Sequence, residues 1–191
     1  MGLMSRKLTR RDLIWILPSG VAAGFFGWFG WRTVRILFLK ERVPEPTWRD
    51  GERVEVARLE ELEAPWAFKY FTYPTRFGEL KSVLVRLPGP VVGGLSVGEA
   101  HFVGLSRICT HLGCTVNYVP DLEAGAIAYN YRASNPFLGC PCHFGAFDPA
   151  QGGKAVFGPP TLPLPRLRLE AAEGVIYATG HEEPLYPIER G

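Results

Sequence analysis

CTHLGC at residues 109–114 and CPCH at residues 140–143 contain all four cysteines and two of the four histidines of this 191-residue chain. We call them the first and the second segment. Thiolates and imidazoles at such short spacing bind soft and borderline metals, and clustered cysteines also form disulfides. Two cysteines and two histidines can hold a zinc ion or a two-iron, two-sulfur cluster. Either site leaves two cysteines over, one in each segment, and a disulfide between the segments would use them.

The spacing within the segments separates these metals. Cys109 lies two residues before His111 in the first segment, and Cys140 lies three residues before His143 in the second. Common zinc fingers pair cysteine with cysteine and histidine with histidine, so this pattern matches them poorly. A membrane-anchored structural zinc protein is the alternative from another class, and zinc without acid-labile sulfide would support it.

The two segments resemble the paired boxes of Rieske iron–sulfur proteins, and most closely the disulfide-containing type of cytochrome bc complexes. Ring-hydroxylating dioxygenase components fit less well, because they typically lack the two extra cysteines and an anchor. The resemblance implies a [2Fe-2S] cluster with Cys109 and Cys140 on one iron. It implies that His111 and His143 are ligands of the other iron.

The resemblance also implies roles for residues around the cluster. It assigns Cys114 and Cys142 to a disulfide, and it places Leu112 as an apolar shield between the cluster and solvent. Gly113 permits a tight turn with positive φ, and Pro141 restrains the backbone of the second segment. The residues that resemble the family's covering proline loop are Gly158, Pro159 and Pro160.

Imidazole ligation determines the chemistry that the resemblance implies. Two neutral imidazoles in place of two thiolates make a cluster less negative, so it accepts an electron more readily than an all-thiolate cluster. The non-ligating nitrogens of His111 and His143 can carry a proton, and oxidised iron acidifies them. Electron uptake is then coupled to proton uptake, which suits the oxidation of a quinol.

The implied function is that of the electron-transfer subunit of a respiratory quinol:cytochrome c oxidoreductase. His111 and His143 would contact the quinol and take its proton, and the electron would pass to a c-type cytochrome. The implied partners are a cytochrome b subunit, this c-type cytochrome, quinol and the membrane. The chain would be enzymatic only as a subunit of that complex. An alternative is the small subunit of a periplasmic molybdenum oxidase such as arsenite oxidase, and co-purification with cytochrome b would discriminate.

The N-terminal region predicts a membrane anchor. Leu13 to Trp31 runs for 19 residues without a charge. At about 1.5 Å per residue this stretch nearly spans a hydrocarbon core of roughly 30 Å. TRRDLI at residues 9–14 resembles a twin-arginine export signal. We therefore expect a single-pass protein of a bacterial cytoplasmic membrane, with residues 1–12 cytoplasmic, residues 13–39 as a transmembrane helix and the head on the periplasmic face.

The remainder of the chain predicts a linker and a β-rich head. Residues 40–48 combine prolines with charges, which is typical of an extended linker or hinge before a head over residues 49–191. Residues 47–191 hold 13 Lys and Arg against 16 Asp and Glu, so the head lacks the excess of basic residues that nucleic-acid binding needs. Runs of β-branched and aromatic residues between turns predict small antiparallel sheets with the two segments on loops. The candidate strands are residues 53–57, 66–73, 82–87, 101–106, 115–118, 126–131, 155–157 and 175–179.

Two positions after the second segment depart from the bc-type pattern. Members of that type commonly have serine and tyrosine where this chain has Gly145 and Phe147. The resemblance implies that these hydroxyls donate hydrogen bonds to a cluster sulfide and a ligand thiolate. Such bonds stabilise the more negative, reduced form, so their absence predicts a lower reduction potential and a low-potential donor such as menaquinol.

Restoring both hydroxyls tests this interpretation. The double variant Gly145→Ser, Phe147→Tyr is expected to raise the midpoint potential, because the added hydrogen bonds favour the reduced state. A redox titration followed by EPR measures the shift. An unchanged or lower midpoint would contradict the hydroxyl argument.

Overall fold

The computed structural model describes residues 9–37 and 43–185. The chain divides into two units, Met1–Lys40 and Glu41–Gly191. The described part of the first unit is one helix, α1 (Arg10–Leu37), with Pro18 inside it. Within the described residues, no helix combines the length and the apolar character that crossing a membrane requires. The transmembrane helix predicted within residues 13–39 is therefore not supported by the structure.

The second unit consists mainly of antiparallel strands, which confirms the predicted class of fold. Its described elements are β1 (Trp48–Arg58), β2 (Phe68–Thr75), β3 (Gly78–Leu87), β4 (Leu95–Val97), β5 (Ala100–Ser106), β6 (Asn117–Val119), α2 (Leu122–Tyr129), β7 (Phe137–Cys140), β8 (Gly145–Asp148), β9 (Lys154–Phe157), β10 (Arg166–Ala172) and β11 (Val175–Glu182). The larger sheet has the order β1-β11-β10-β5-β3-β2, with β4 beside β5. The smaller sheet has the order β6-β7-β8-β9 and is inserted in the chain between β5 and β10.

Strand β3 contributes to the two larger of the three hydrophobic cores described in this unit. Val83 and Val85 pack in a core shared with the smaller sheet, which also contains Cys109 and Cys140. Leu84 points to the opposite face and packs in the core of the larger sheet. Successive side chains of a strand point to opposite faces, so a run of apolar residues in β3 is needed to line both cores.

Seven of the eight predicted strand segments overlap a strand, and the exception is residues 126–131. That prediction is wrong, because residues up to Tyr129 belong to helix α2. The carboxylate of Asp121 caps this helix by accepting hydrogen bonds from the backbone N–H groups of Glu123 and Ala124, both at 3.0 Å. An N-cap aspartate followed by an alanine-rich run favours a helix over a strand.

Four described strands, β4, β7, β8 and β10, lie outside the predicted segments. Leu167 and Leu169 of β10 alternate with arginines, and this pattern of period two is typical of a strand. Strands β7 and β8 have four residues each and are buried throughout. Because both of their faces are covered, they lack the alternation of polar and apolar residues from which a strand is recognised.

Residues 43–47, which fall in the predicted linker, belong to no helix or strand and are hydrogen-bonded to the head. The carbonyl of Thr47 accepts a hydrogen bond from the backbone N–H of Glu183 at 2.9 Å. The carbonyl of Pro44 accepts one from Nη2 of Arg166 at 2.7 Å. Residues 40–42 of the predicted linker lie outside the described residues.

Arg166 is a fully buried cation at the start of β10. Its Nε and Nη2 atoms donate to the two carboxylate oxygens of Glu182 at 2.8 Å and 2.6 Å. Its Nη1 donates to the carbonyl of Val92 at 3.1 Å. This network satisfies a charge that would otherwise be costly to bury, and it connects residues 43–47 to the larger sheet.

Removing the buried arginine is expected to destabilise the head. Arg166→Leu leaves the Glu182 carboxylate buried without its partner, which should lower the free energy of unfolding by about 3–5 kcal/mol. Arg168→Leu is the matched control, since Arg168 pairs at 2.6 Å with an Asp50 whose side chain is 82% exposed. The control should cost less than about 1 kcal/mol. Urea denaturation measures both values, and equal losses would contradict the role given to the buried pair.

Candidate metal centre

The two segments lie on neighbouring loops at one end of the smaller sheet. The first follows β5 and is closed by its own backbone, because Cys109 donates to the carbonyl of Cys114 at 2.8 Å and Gly113 donates to that of Cys109 at 2.9 Å. Gly113 has φ of 82°, as predicted. The second segment connects β7 to β8, with Cys140 paired to Gly145 across the strands.

Cys114 and Cys142 form a disulfide that joins the tips of the two loops. Their Cα atoms lie 6.6 Å apart, and 28 residues separate them in the sequence. This confirms the pairing that the resemblance implied. Cys142 is exposed and Cys114 is half-buried, so the cross-link lies at the solvent side of the loops.

The other two cysteines, Cys109 and Cys140, are free and buried. Burial raises the pKa of the Cys109 thiol to about 11, and a hydrogen bond to the Cys140 side chain acts in the same direction. Hydrogen bonds from the backbone of His111 and Leu112 favour the thiolate but are outweighed. A metal bound between these two sulfurs would displace their protons, because only thiolates are metal ligands.

The imidazoles of His111 and His143 face each other edge to face, with ring centroids 4.9 Å apart. His143 is exposed and His111 is half-buried. Within the described part of the chain, Nδ1 of His111 is the buried side-chain nitrogen or oxygen atom that has no hydrogen-bond partner. Buried polar atoms nearly always have a partner, so this atom fits a metal ligand better than a structural group.

One group of three sulfur atoms requires a separate explanation. The Sγ atoms of Cys114, Cys140 and Cys142 lie within 4.8 Å of one another. Two of these sulfurs are bonded in the disulfide, so they offer no thiolate to a metal. The arrangement shows instead that the disulfide lies directly against the Cys140 thiol. The donors left for a metal are the two free thiols and the two imidazoles, which fit a cluster with cysteines on one iron and histidines on the other.

The proline loop packs on the residues after the second segment, and the chain just beyond it binds the first segment. A Cβ atom on Gly145 would lie 2.7 Å from Cγ of Pro160, and one on Gly158 would lie 2.8 Å from the Cα of Gly145. In the first segment, the hydroxyl of Thr110 donates to the carbonyl of Leu162 at 2.9 Å. The loop thus packs against the residues that follow CPCH. The role of Thr110 was not predicted from the sequence.

Gly145 and Phe147 have different surroundings. Phe147 is fully buried in the core that contains Cys109 and Cys140. A serine at Gly145 would displace Pro160, since no real Cβ atom approaches a carbon as closely as 2.7 Å. Phe147→Tyr is therefore the change that tests the missing hydroxyl with less disturbance of the loop.

Two aromatic residues near the second segment were given no functional role by the sequence. Tyr129 of α2 packs on Gly139, where an added Cβ would lie 2.4 Å from the phenol ring, and its hydroxyl donates to the Gly139 carbonyl at 3.3 Å. Phe144 directly follows His143 and has φ of 55°. For a residue with a side chain, this left-handed conformation costs roughly 1–2 kcal/mol. In the bc-type pattern that the sequence resembles, this position is commonly glycine, and that difference could have drawn attention to Phe144.

Two buried thiols lie beside two imidazoles on neighbouring loops of antiparallel sheets. This arrangement is typical of a β-rich iron–sulfur protein. A model of the Rieske [2Fe-2S] domain matches residues 54–168, which is more than half of the chain. The chain therefore belongs to the Rieske family, and its cofactor is a [2Fe-2S] cluster. Membership of the Rieske family does not support the alternative of a structural zinc protein.

Three relatives share between 38% and 39% identity with the chain. One, from Haloferax mediterranei, is provisionally named as the Rieske subunit of a respiratory nitrate reductase and is 39% identical over 82 residues, covering 42% of this chain and 31% of the relative. The cytochrome bc1 complex Rieske iron-sulfur subunit of Streptomyces lividans is 38% identical over 93 residues, 47% of this chain and 48% of the relative. The menaquinol:cytochrome c reductase iron-sulfur subunit of Geobacillus thermodenitrificans is 38% identical over 80 residues, which cover 41% of this chain and 40% of the relative. The chain thus matches less than half the length of each relative.

One solved structure shows the same fold. The soluble domain of the Rieske protein II (soxF) from Sulfolobus acidocaldarius superimposes with a TM-score of 0.52 at 24% identity, covering 71% of this chain and 80% of that one. At this identity the likeness concerns the fold alone.

The two cysteine pairs are expected to respond differently to substitution. The double variant Cys114→Ser, Cys142→Ser should keep the Rieske EPR signal but lose it faster on heating. Removing a cross-link between residues 28 apart costs roughly 3–4 kcal/mol in the chain-entropy account. Cys109→Ser and Cys140→Ser should abolish the signal at all temperatures.

The measurement is EPR of the dithionite-reduced chain after timed heating. Complete loss of the signal in the disulfide variant before heating, or retention of the signal in Cys109→Ser, would contradict the separation of roles.

Proposed function

We propose that Cys109 and Cys140 ligate one iron of the cluster and that His111 and His143 ligate the other. One observation carries this assignment: two free, buried thiols lie on the core side of the loops, beside two imidazoles that face each other. The buried Nδ1 of His111, which has no partner in the described residues, supports it. Leu112, which is 65% exposed, would separate this centre from solvent on the first loop.

We further propose that the chain is the electron-transfer subunit of a quinol:cytochrome c oxidoreductase. Support comes from the relatives named as subunits of a cytochrome bc1 complex and of a menaquinol:cytochrome c reductase. The proposed partners are a cytochrome b subunit, a c-type cytochrome and quinol. The head would work at the outer face of a bacterial cytoplasmic membrane. Attachment through residues 13–39 and twin-arginine export are predictions of the sequence alone.

The exposed imidazole of His143 is the group best placed to contact quinol. Its second ring nitrogen can accept a hydrogen bond from a quinol hydroxyl and then hold the proton. When bound, a [2Fe-2S] cluster supplies a one-electron acceptor at a potential that imidazole ligation raises. The thiols of Cys109 and Cys140 lie in the core, which keeps water away from the other side of the centre.

A low-potential quinol such as menaquinol fits the surroundings of the thiols. Phe147 is fully buried in the core beside them and has no hydroxyl to donate to sulfur. Gly145 cannot be serine without displacing Pro160. With fewer hydrogen bonds to sulfur, the reduced state is less stabilised and the potential is lower.

A second candidate function is the Rieske subunit of a different respiratory oxidoreductase, of which a periplasmic molybdenum oxidase is one form. The relative provisionally named as a nitrate reductase subunit favours it. Isolation of the chain from its native membranes distinguishes the two candidates. Haem b in the purified complex supports the quinol:cytochrome c oxidoreductase, and molybdenum without haem b supports the second candidate.

A pH-dependent redox titration followed by EPR tests the site. A bound, oxidised cluster would make its imidazole ligands better proton donors, so its reduction would be accompanied by proton uptake. The midpoint should be constant at low pH and fall by up to about 59 mV per pH unit at alkaline pH, one electron being coupled to one proton.

Variants of two histidines identify the residues responsible. His143→Ala should abolish the Rieske signal. His101→Ala is the control, since His101 lies in β5 and its Nδ1 is 2.8 Å from the hydroxyl of Ser96. An EPR-silent chain that contains zinc, or a midpoint independent of pH, would contradict the proposal.

A further inference from the structure

Phe144 has a backbone conformation that glycine would adopt without strain. Its φ of 55° lies in the left-handed region, where a side chain is unfavourable. The proline loop lies close by, since a Cβ on Gly158 would lie 3.0 Å from the Phe144 carbonyl oxygen.

The phenyl ring gains little burial in return for this strain. It is 53% exposed, and Leu112 on the first loop is 65% exposed. The disulfide holds these two loops together, so two exposed apolar side chains are attached to the segments that carry His111 and His143. A strained residue that does not fill a core is a candidate for a direct functional contact.

We propose that Phe144 is a specificity-determining residue that contacts the quinol ring and favours a fused two-ring naphthoquinol over a single-ring benzoquinol. This inference rests on the proposed function. It extends that function by identifying a residue of this chain that would select the class of quinol.

The adjacency of Phe144 and His143 carries the argument. A quinol hydroxyl that is hydrogen-bonded to the His143 imidazole lies about 2.6–3.2 Å from the ring nitrogen. Consecutive Cα atoms are about 3.8 Å apart, so both side chains start from one point of the exposed loop, and we place the ring of such a quinol against the phenyl group. Aromatic faces attract one another in offset or edge-to-face arrangements, and a two-ring quinol offers the larger apolar surface.

The test compares variants of Phe144 in the full chain within its native complex. Phe144→Ala and Phe144→Gly remove the ring, whereas Phe144→Tyr retains it. We expect kcat/KM for a naphthoquinol to fall about 3- to 10-fold in the first two variants, mainly through KM, because the contact exists before the transition state. The same parameter for a benzoquinol should change less than about 2-fold. The Tyr variant should resemble the wild type.

Two readouts that do not depend on turnover accompany the kinetics. The midpoint potential and EPR spectrum should be unchanged, since Phe144 is not a ligand. The Tm of Phe144→Gly should equal or exceed that of the wild type, and Phe144→Ala should fall below Phe144→Gly, because only glycine relieves the left-handed strain.

Wild-type kinetics with both quinols in Phe144→Ala, or equal losses for both quinols, would overturn the inference. A drop in Tm of more than about 5 °C in both Phe144→Gly and Phe144→Ala would show that the ring has a packing role and would also overturn it. Failure of the proposed function has a different signature. In that case the wild-type complex shows a Rieske EPR signal but oxidises neither quinol, and both proposals fall.

Discussion

The centre proposed for this chain combines two thiols in the core with two imidazoles toward solvent, and the packing of the head keeps these two environments apart. Each segment supplies one cysteine and one histidine, separated by only one or two residues. Cys109 and Cys140 lie in the core lined by Val83 and Val85 of β3. The short spacing then carries His143 to an exposed position and His111 to a half-buried one. A soft, dry environment for sulfur and access for proton exchange are thereby obtained within two loops.

Little apolar burial is available to hold the ends of these loops, because residues 141–144 are all exposed. Covalent and polar links take its place. The disulfide joins the two tips, and the hydrogen bond from Thr110 to Leu162 ties the first segment to the loop that also packs on Gly145. Loops on a rigid scaffold commonly carry function, and here cross-links rather than packing make the loop ends rigid.

The contact between Gly145 and Pro160 changes the interpretation of the missing hydroxyls. From the sequence, Gly145 is simply a position without a donor. In the fold its missing side chain is the space into which Pro160 packs, so the absence of the hydroxyl and the position of the covering loop are one structural feature. Phe144, one residue earlier, has a left-handed conformation, and its carbonyl oxygen lies close to Gly158 of the same loop. The residues after CPCH thus shape both the surroundings of the free thiols and the exposed surface.

The sequence by itself identified the candidate donors, because residue types and their short spacing are properties of the covalent chain. It also indicated the β-rich class of the head and, through the resemblance, the pair Cys114 and Cys142. Helix α2 was mistaken for a strand, although Asp121 offered a capping signal. Strands β7 and β8 escaped detection, because burial on both faces removes the alternating pattern.

Only the tertiary structure decided which residues distant in sequence meet: Pro160 against Gly145, Arg166 between Glu182 and Pro44, and Tyr129 against Gly139. These contacts depend on how close-packed elements exclude one another, and no local pattern of residues encodes that.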